Sequence, residues 1–177
     1  KGGILIEDGS LRNINLAHLL LSRITVIPGL ESVLMGTVPP ELREEMQGRD
    51  TKFDEARTEF TLSEGLVTIQ KLVLSERHFS VVGAGTLSLA GNLALRARLI
   101  LLKGLSDFLI GRVQELSYLS NSDGHVVVPF VCRGRWNAPE FRPDVADIAK
   151  RVVVTKGSEW VGKGLEALSQ IMGEKTQ

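Results

Sequence analysis

"GAGTLSLAGNLALRARLILL", residues 83–102, alternates apolar side chains with small, polar or arginine ones almost without a break. Leu87, Leu89, Leu93, Leu95, Leu99 and Leu101 share one parity. Successive side chains of a strand point to opposite faces, so this run predicts a sheet with one aliphatic face. The pattern extends upstream: "ARTEFTLSEGLVTIQKLVLSERHFSVVGAGTLSL", residues 56–89, reads as three strands turned at Ser63-Glu64-Gly65 and Ser75-Glu76-Arg77. Phe79 and Val81 continue the apolar parity, with His78, Ser80, Thr86 and Ser88 on the other. Gly83 and Gly85 fall mid-strand on the apolar side, where glycine marks a bulge or a close approach to the backbone. Ala90-Gly91-Asn92 turns the chain into a strand over 93–102.

The flanking segments read differently. Residues 1–16 suggest a β-hairpin turned at Asp8-Gly9, with Ile4 and Ile6 alternating against polar positions. Asn15 then caps a helix from Leu16 through Leu19, Leu20 and Arg23. Pro28-Gly29 and Pro39-Pro40 punctuate 24–55; "LESVLMG" and "PELREEMQG" are short helix candidates expected over an edge or mouth of the sheet. In 104–120 the period changes, and Leu105, Phe108, Leu109, Val113 and Leu116 recur at helical spacing. Asp123-Gly124 closes that connection. "HVVVPFVCRGRW" reads as a strand whose Pro129 suggests an edge or a bulge. Ala138-Pro139 and Arg142-Pro143 read as breaks, and Asp144 and Asp147 favour a helix start in "PDVADIAKR". Residues 158–172, from Ser158 as cap, carry Trp160, Val161, Leu165, Leu168, Ile171 and Met172 on one side of a further helix. Gly157, Gly162 and Gly164 weaken that helix, so it needs a packing partner. The fold class expected is α+β: a curved antiparallel β-sheet with amphipathic helices packed on one side and at the C-terminus. One domain spans 1–177, with 151–177 as a helical tail.

Composition narrows the function classes. Hydrophobic residues make up 43% and aromatics 5% of the chain, so a core of ordinary size must be aliphatic. Lys and Arg number 21 against 21 Asp and Glu, which argues against nucleic acid or a polybasic membrane contact as the main partner. Cys132 is the single cysteine, so no disulfide forms within the chain. No uncharged apolar run reaches the roughly 18 residues of a membrane-spanning helix. The chain starts at Lys1 in strand-like sequence, which reads as a piece of a larger protein.

Motifs for chemistry are sparse. His18, His78 and His125 lie on different elements, none with a carboxylate, cysteine or second histidine at ligand spacing, so neither a metal site nor a catalytic histidine is expected. "GAGTLS" lacks the third glycine of a dinucleotide loop, and "GKGLEA", 162–167, falls inside a helix rather than at its start. Asp144 with Asp147, or Glu44 with Glu45, read as helix-end charge and solvated surface rather than paired acids. Cys132 reads as a small core filler. Arg96 and Arg98 occupy the polar parity; a solvated outer face is the plain reading and an anionic headgroup the sharper one. The terminal helix lacks a Lys/Arg stripe, which favours capping the sheet over lying in a membrane interface.

Read in order, these signals resemble the C-terminal region of AsmA-like envelope proteins of Gram-negative bacteria. The resemblance rests on "GGILIEDGSLRNINLAHLL", on "FDEARTEFTLSEGLVTIQKLVLSERHFSVVGAGTLSLAGNLAL" and on "GHVVVPFVCRGRWNAPEFRPDVADIAK", and is best over 1–150. It implies a periplasmic domain, anchored in the inner membrane through a segment outside this chain, with no catalytic residues and no cofactor. It further implies a part in outer-membrane biogenesis and in phospholipid transport between the two membranes along a β-groove. The partners expected are phospholipid acyl chains and other segments of the same protein or of the envelope, not nucleic acid. The lipid-binding residues would be Phe79, Val81, Leu87, Leu89, Leu93, Leu95, Leu99 and Leu101, with Gly83 and Gly85 allowing the sheet to bend. The rival reading is a structural or interaction module that assists outer-membrane protein assembly and whose sheet face is fully covered.

Overall fold

In a computed structural model the described residues are 1–16, 19, 43 and 48–156. Seven strands form one open antiparallel sheet in which chain order is also spatial order. They are β1 (Gly2–Leu11), β2 (Thr51–Ser63), β3 (Leu66–Ser75), β4 (Phe79–Ser88), β5 (Asn92–Leu101), β6 (Val127–Arg135) and β7 (Ala138–Pro143). Helix α1 (Lys103–Ile110) and a 3-10 helix (Gln114–Leu119) lie between β5 and β6, and α2 (Val145–Lys156) follows β7. None of the described helices is long and apolar enough to cross a membrane.

Because the strands meander, their connections alternate between two ends. The β2–β3, β4–β5 and β6–β7 turns share one end, called here the tip end. The β3–β4 turn and the helical connections share the other. The tips are tied sideways: the Leu89 N–H donates to the Gly65 carbonyl at 2.8 Å, and the Trp136 N–H to that of Gly91 at 2.9 Å.

Strands β2 to β6 and the helix start in "PDVADIAKR" follow the sequence reading; several other elements do not. Residues 1–16 make no hairpin. Gly2–Leu11 run as one strand along β2, with Gly2 opposite Phe60 and Leu11 opposite Thr51, and Asp8 absorbs a positive φ of 50° inside the strand. The 104–120 helix is interrupted: α1 ends at Ile110, the Arg112 N–H turns back to the Leu109 carbonyl, and a 3-10 segment begins at Gln114. Tight 3-10 turning suits a short connection that must still point Leu116 and Leu119 inward.

Pro129 sits within an interior strand rather than at an edge, opposite Arg98. Its carbonyl accepts the Asp144 N–H at 2.9 Å, so its ring nitrogen faces the β7 side, just past the last paired residue, Pro143. No ladder bond is lost there. Ala138–Pro143, expected to break the chain, is instead the edge strand β7, where proline is tolerated. Asp144 then caps α2: its Oδ1 accepts the Asp147 N–H at 3.2 Å.

At the start of the first helical turn, the Leu19 N–H donates to the Asn15 carbonyl at 2.9 Å. Thr51 Oγ1 accepts the Leu16 N–H and donates to the Ile14 carbonyl, clamping that turn to β2. The remainder of that helix, the two candidates in 24–48 apart from Arg43 and Gly48, and the 158–172 helix lie outside the described residues.

Candidate functional site: the apolar sheet face

Register places one face of the sheet in cross-strand rows. Nearest the tips stand Leu62, Val67, Leu87, Leu93, Gly134 and Pro139. The next row holds Gly2, Phe60, Ile69, Gly85, Leu95, Cys132 and Phe141. Then come Ile4, Thr58, Leu72, Gly83, Ala97, Phe130 and Pro143, followed by Ile6, Ala56, Leu74, Val81, Leu99 and Val128. Phe79 and Leu101 close the face at the helical end. Thr58 carries the one hydroxyl in these rows, and its Oγ1 is buried with no hydrogen-bond partner.

Burial along these rows is graded. Phe79, Val81, Leu99 and Leu101 belong to a closed apolar cluster with Leu105 and Leu109 of α1, Val113, Leu116, Leu119 and Ile148 of α2. Leu99 is fully buried there. Toward the tips the cover ends. Leu87, Leu93 and Leu95 are half-buried, as are Val67, Ile69 and Phe60, while Leu62 is 57% exposed. Leu89 lies beyond the end of β4, in the turn, and is 73% exposed. The eight side chains marked by alternation thus fall into three environments. Phe79, Val81, Leu99 and Leu101 are core, Leu87, Leu93 and Leu95 line the uncovered part, and Leu89 stands on a tip.

Sequence reasoning missed the uncovered neighbours on β2 and β3. On β3 the parity is scrambled by a bulge: Ile69 pairs with Gly85 and Leu72 with Gly83, so Gln70 and Lys71 together oppose Ala84, whereas Ala56, Thr58, Phe60 and Leu62 of β2 keep one parity. Val67 and Ile69 are therefore odd-numbered and Leu72 and Leu74 even-numbered, yet all four share the face. The sequence signal available was the Gln70-Lys71 pair interrupting an aliphatic run. Gly83 and Gly85 are not the bulge. They are sites of close approach: a Cβ on Gly83 would come 2.8 Å from that of Ala97, and one on Gly85 would overlap the Ala94 carbonyl.

The groups with chemical potential are spread out. Cys132 is a buried member of this face, and burial pushes its thiol up to about 11, which keeps it protonated at neutral pH. The His78 ring Nδ1 lies 3.7 Å from a Glu76 carboxylate oxygen, and the same carboxylate accepts the His78 backbone N–H. His125 sits in the loop organised by Asn121, whose side-chain oxygen accepts the Asp123 and His125 N–H groups. His18 lies outside the described residues. No group of three or more His, Cys, Asp or Glu that could hold a metal ion occurs among the described residues.

On the opposite face Arg96 and Arg98 are exposed, as their parity required. Comparison with family models, with curated proteins and with solved structures finds no match to this chain.

Proposed function

We propose that this chain is a non-enzymatic, lipid-handling domain of an AsmA-like envelope protein. It would face the periplasm, be anchored in the inner membrane by a segment outside this chain, and serve outer-membrane biogenesis by passing phospholipid acyl chains along its apolar face. A bent sheet roofed by helices at one end and uncovered at the other supports this reading. The observation that carries it is the burial gradient: five rows of largely apolar side chains, Thr58 the one polar member, run from a closed core to a margin at Leu62, Val67, Leu87 and Leu93 that is half-buried to exposed. Apolar burial is non-directional, so such a face accommodates acyl chains without placed polar groups.

The test is lipid occupancy. Native mass spectrometry of the purified chain should reveal bound phospholipid, and a fluorescent fatty acid should be taken up and displaced by unlabelled lipid. Val67→Gln with Leu87→Gln, a cross-strand pair on the uncovered rows, should weaken uptake about tenfold or more, since each removes roughly 1–2 kcal/mol of apolar contact. The second reading, an interaction module assisting outer-membrane protein assembly, draws on the sealed half of the face, where Phe79, Val81, Leu99 and Leu101 are enclosed. Absence of co-purifying lipid together with no fatty-acid uptake would replace the first reading with the second.

A further inference from the structure

The face opposite the apolar rows brings together arginines that lie far apart in sequence. Arg96 and Arg98 on β5 are joined by Arg133 and Arg135 on β6 and by Arg142 on β7, all exposed. Arg96 stands opposite Val131, Arg98 opposite Pro129, Arg133 opposite Ala94 and Arg135 opposite Asn92. Arg98, Arg96, Arg133 and Arg135 therefore occupy successive levels along the strand direction, about 6.6 Å apart. They form a stripe of roughly 20 Å running to the tip end. On the β4–β7 part of this face the single carboxylate is Glu140, which pairs with Arg142 at 2.8 Å. A chain with no net charge thus concentrates cations on one side.

The stripe ends among exposed apolar side chains. Leu62, Leu66, Leu89 and Trp136 all stand at the three tips, and Trp136 is 65% exposed. The backbone bonds Leu89 to Gly65 and Trp136 to Gly91 hold those tips side by side. A soluble polyanion would account for the arginines but not for a tryptophan and three leucines raised beside them. Tryptophan prefers the membrane–water boundary, and arginine pairs well with phosphate oxygens.

We propose that the tip end docks on a bilayer surface bearing anionic phospholipid headgroups. Trp136 and Leu89, with Leu62 and Leu66 beside them, enter the interface, and Arg135 and Arg133, at the two levels nearest the tips, contact headgroup phosphates, while Arg96 and Arg98 extend the positive field away from the surface. The uncovered rows of the apolar face open at this same end, so a docked molecule has that face continuous with the acyl layer. This last step rests on the lipid reading proposed above; the docking itself does not.

The full 177-residue chain is tested by flotation with vesicles of phosphatidylethanolamine and phosphatidylglycerol, and with vesicles of phosphatidylcholine alone. In a Trp160→Phe background Trp136 is the sole tryptophan reporter. Binding to the anionic vesicles, a blue-shifted emission and weakening at high salt are expected. Arg133→Gln with Arg135→Gln should lower vesicle affinity about thirtyfold while leaving the melting temperature and fatty-acid uptake unchanged. The proposal is overturned if the anionic vesicles do not bind, if the double arginine variant binds them as well as the parent, or if heparin or RNA is bound and vesicles are not. Fatty-acid uptake without vesicle binding would remove the docking surface and leave the acyl-chain reading standing. Vesicle binding without uptake would do the reverse.

Discussion

A methyl group at position 85 would run into the Ala94 carbonyl and the Leu95 Cα, whereas one at position 104, in the first turn of α1, meets nothing within 4 Å. The two glycines therefore respond oppositely to alanine. Gly85→Ala should destabilise the fold by about 1–3 kcal/mol, because β5 must shift to admit the side chain. Gly104→Ala should stabilise it by roughly half a kcal/mol, through helix propensity near a helix end. Urea unfolding of both variants checks the signs. Cys132 makes a second prediction at this scale. Burial pushes its thiol up to about 11, so the folded chain holds the proton more tightly than the unfolded one. The neutral thiol's contribution is full below pH 9 and is lost as pH rises from 9 toward 11, because the unfolded chain ionises first. The parent should lose stability over that interval relative to Cys132→Ala, and native Cys132 should resist alkylation at pH 8. Equal slopes for the two chains would refute the assignment.

Elements join through few polar contacts, and one of them is a latch. Ser106 of α1 is fully buried; its hydroxyl donates to the Leu101 carbonyl at 2.8 Å and accepts the Val126 N–H at 2.9 Å. It thereby completes the pairing at the end of β5 and the start of β6, where the Leu101 N–H donates directly to the Val126 carbonyl at 2.9 Å. Ser106→Ala leaves a buried carbonyl and a buried N–H without partners, at about 2–3 kcal/mol. Amide exchange should quicken in α1 and at Val126 before the β2–β3 ladder changes; uniform quickening would mean that the latch is not local. This scale also shows what was legible in the sequence. Alternation over 83–102 yields β4 and β5 because both strands have one apolar and one polar face with no irregularity. The Asp8-Gly9 dipeptide suggested a turn, but β2 supplies a full-length partner for 2–11, and pairing outweighs local turn preference. The uncovered face on β3 was hidden by the bulge at Gln70. The arginine stripe was hidden further, since two of its four members, Arg133 and Arg135, sit on β6, whose alignment with Arg96 and Arg98 only the register reveals.

For the molecule as a whole, an open sheet has two edges, and this one treats them unequally. The outer edge of β7 is short, carries Pro139 and Pro143, and bears Glu140 and Arg142, features that discourage pairing with another chain. β1 is ten residues long, has no proline, and exposes Ile4, Leu5 and Ile6. Among the described residues no strand faces its outward N–H and C=O groups, since β2 occupies the other side. A long apolar edge of that kind is a template for strand addition. The isolated chain should therefore self-associate as its concentration rises, and Leu5→Lys should suppress this by placing a charge on the pairing edge. The register of β1 against β2 does not depend on the Leu5 side chain being apolar, because that side chain is half exposed, so the melting temperature should hold. Sedimentation velocity over a concentration series reads both outcomes. A parent chain that stays monomeric throughout, or a Leu5→Lys variant that associates equally, would mean that the β1 edge is protected by some feature other than its side chains.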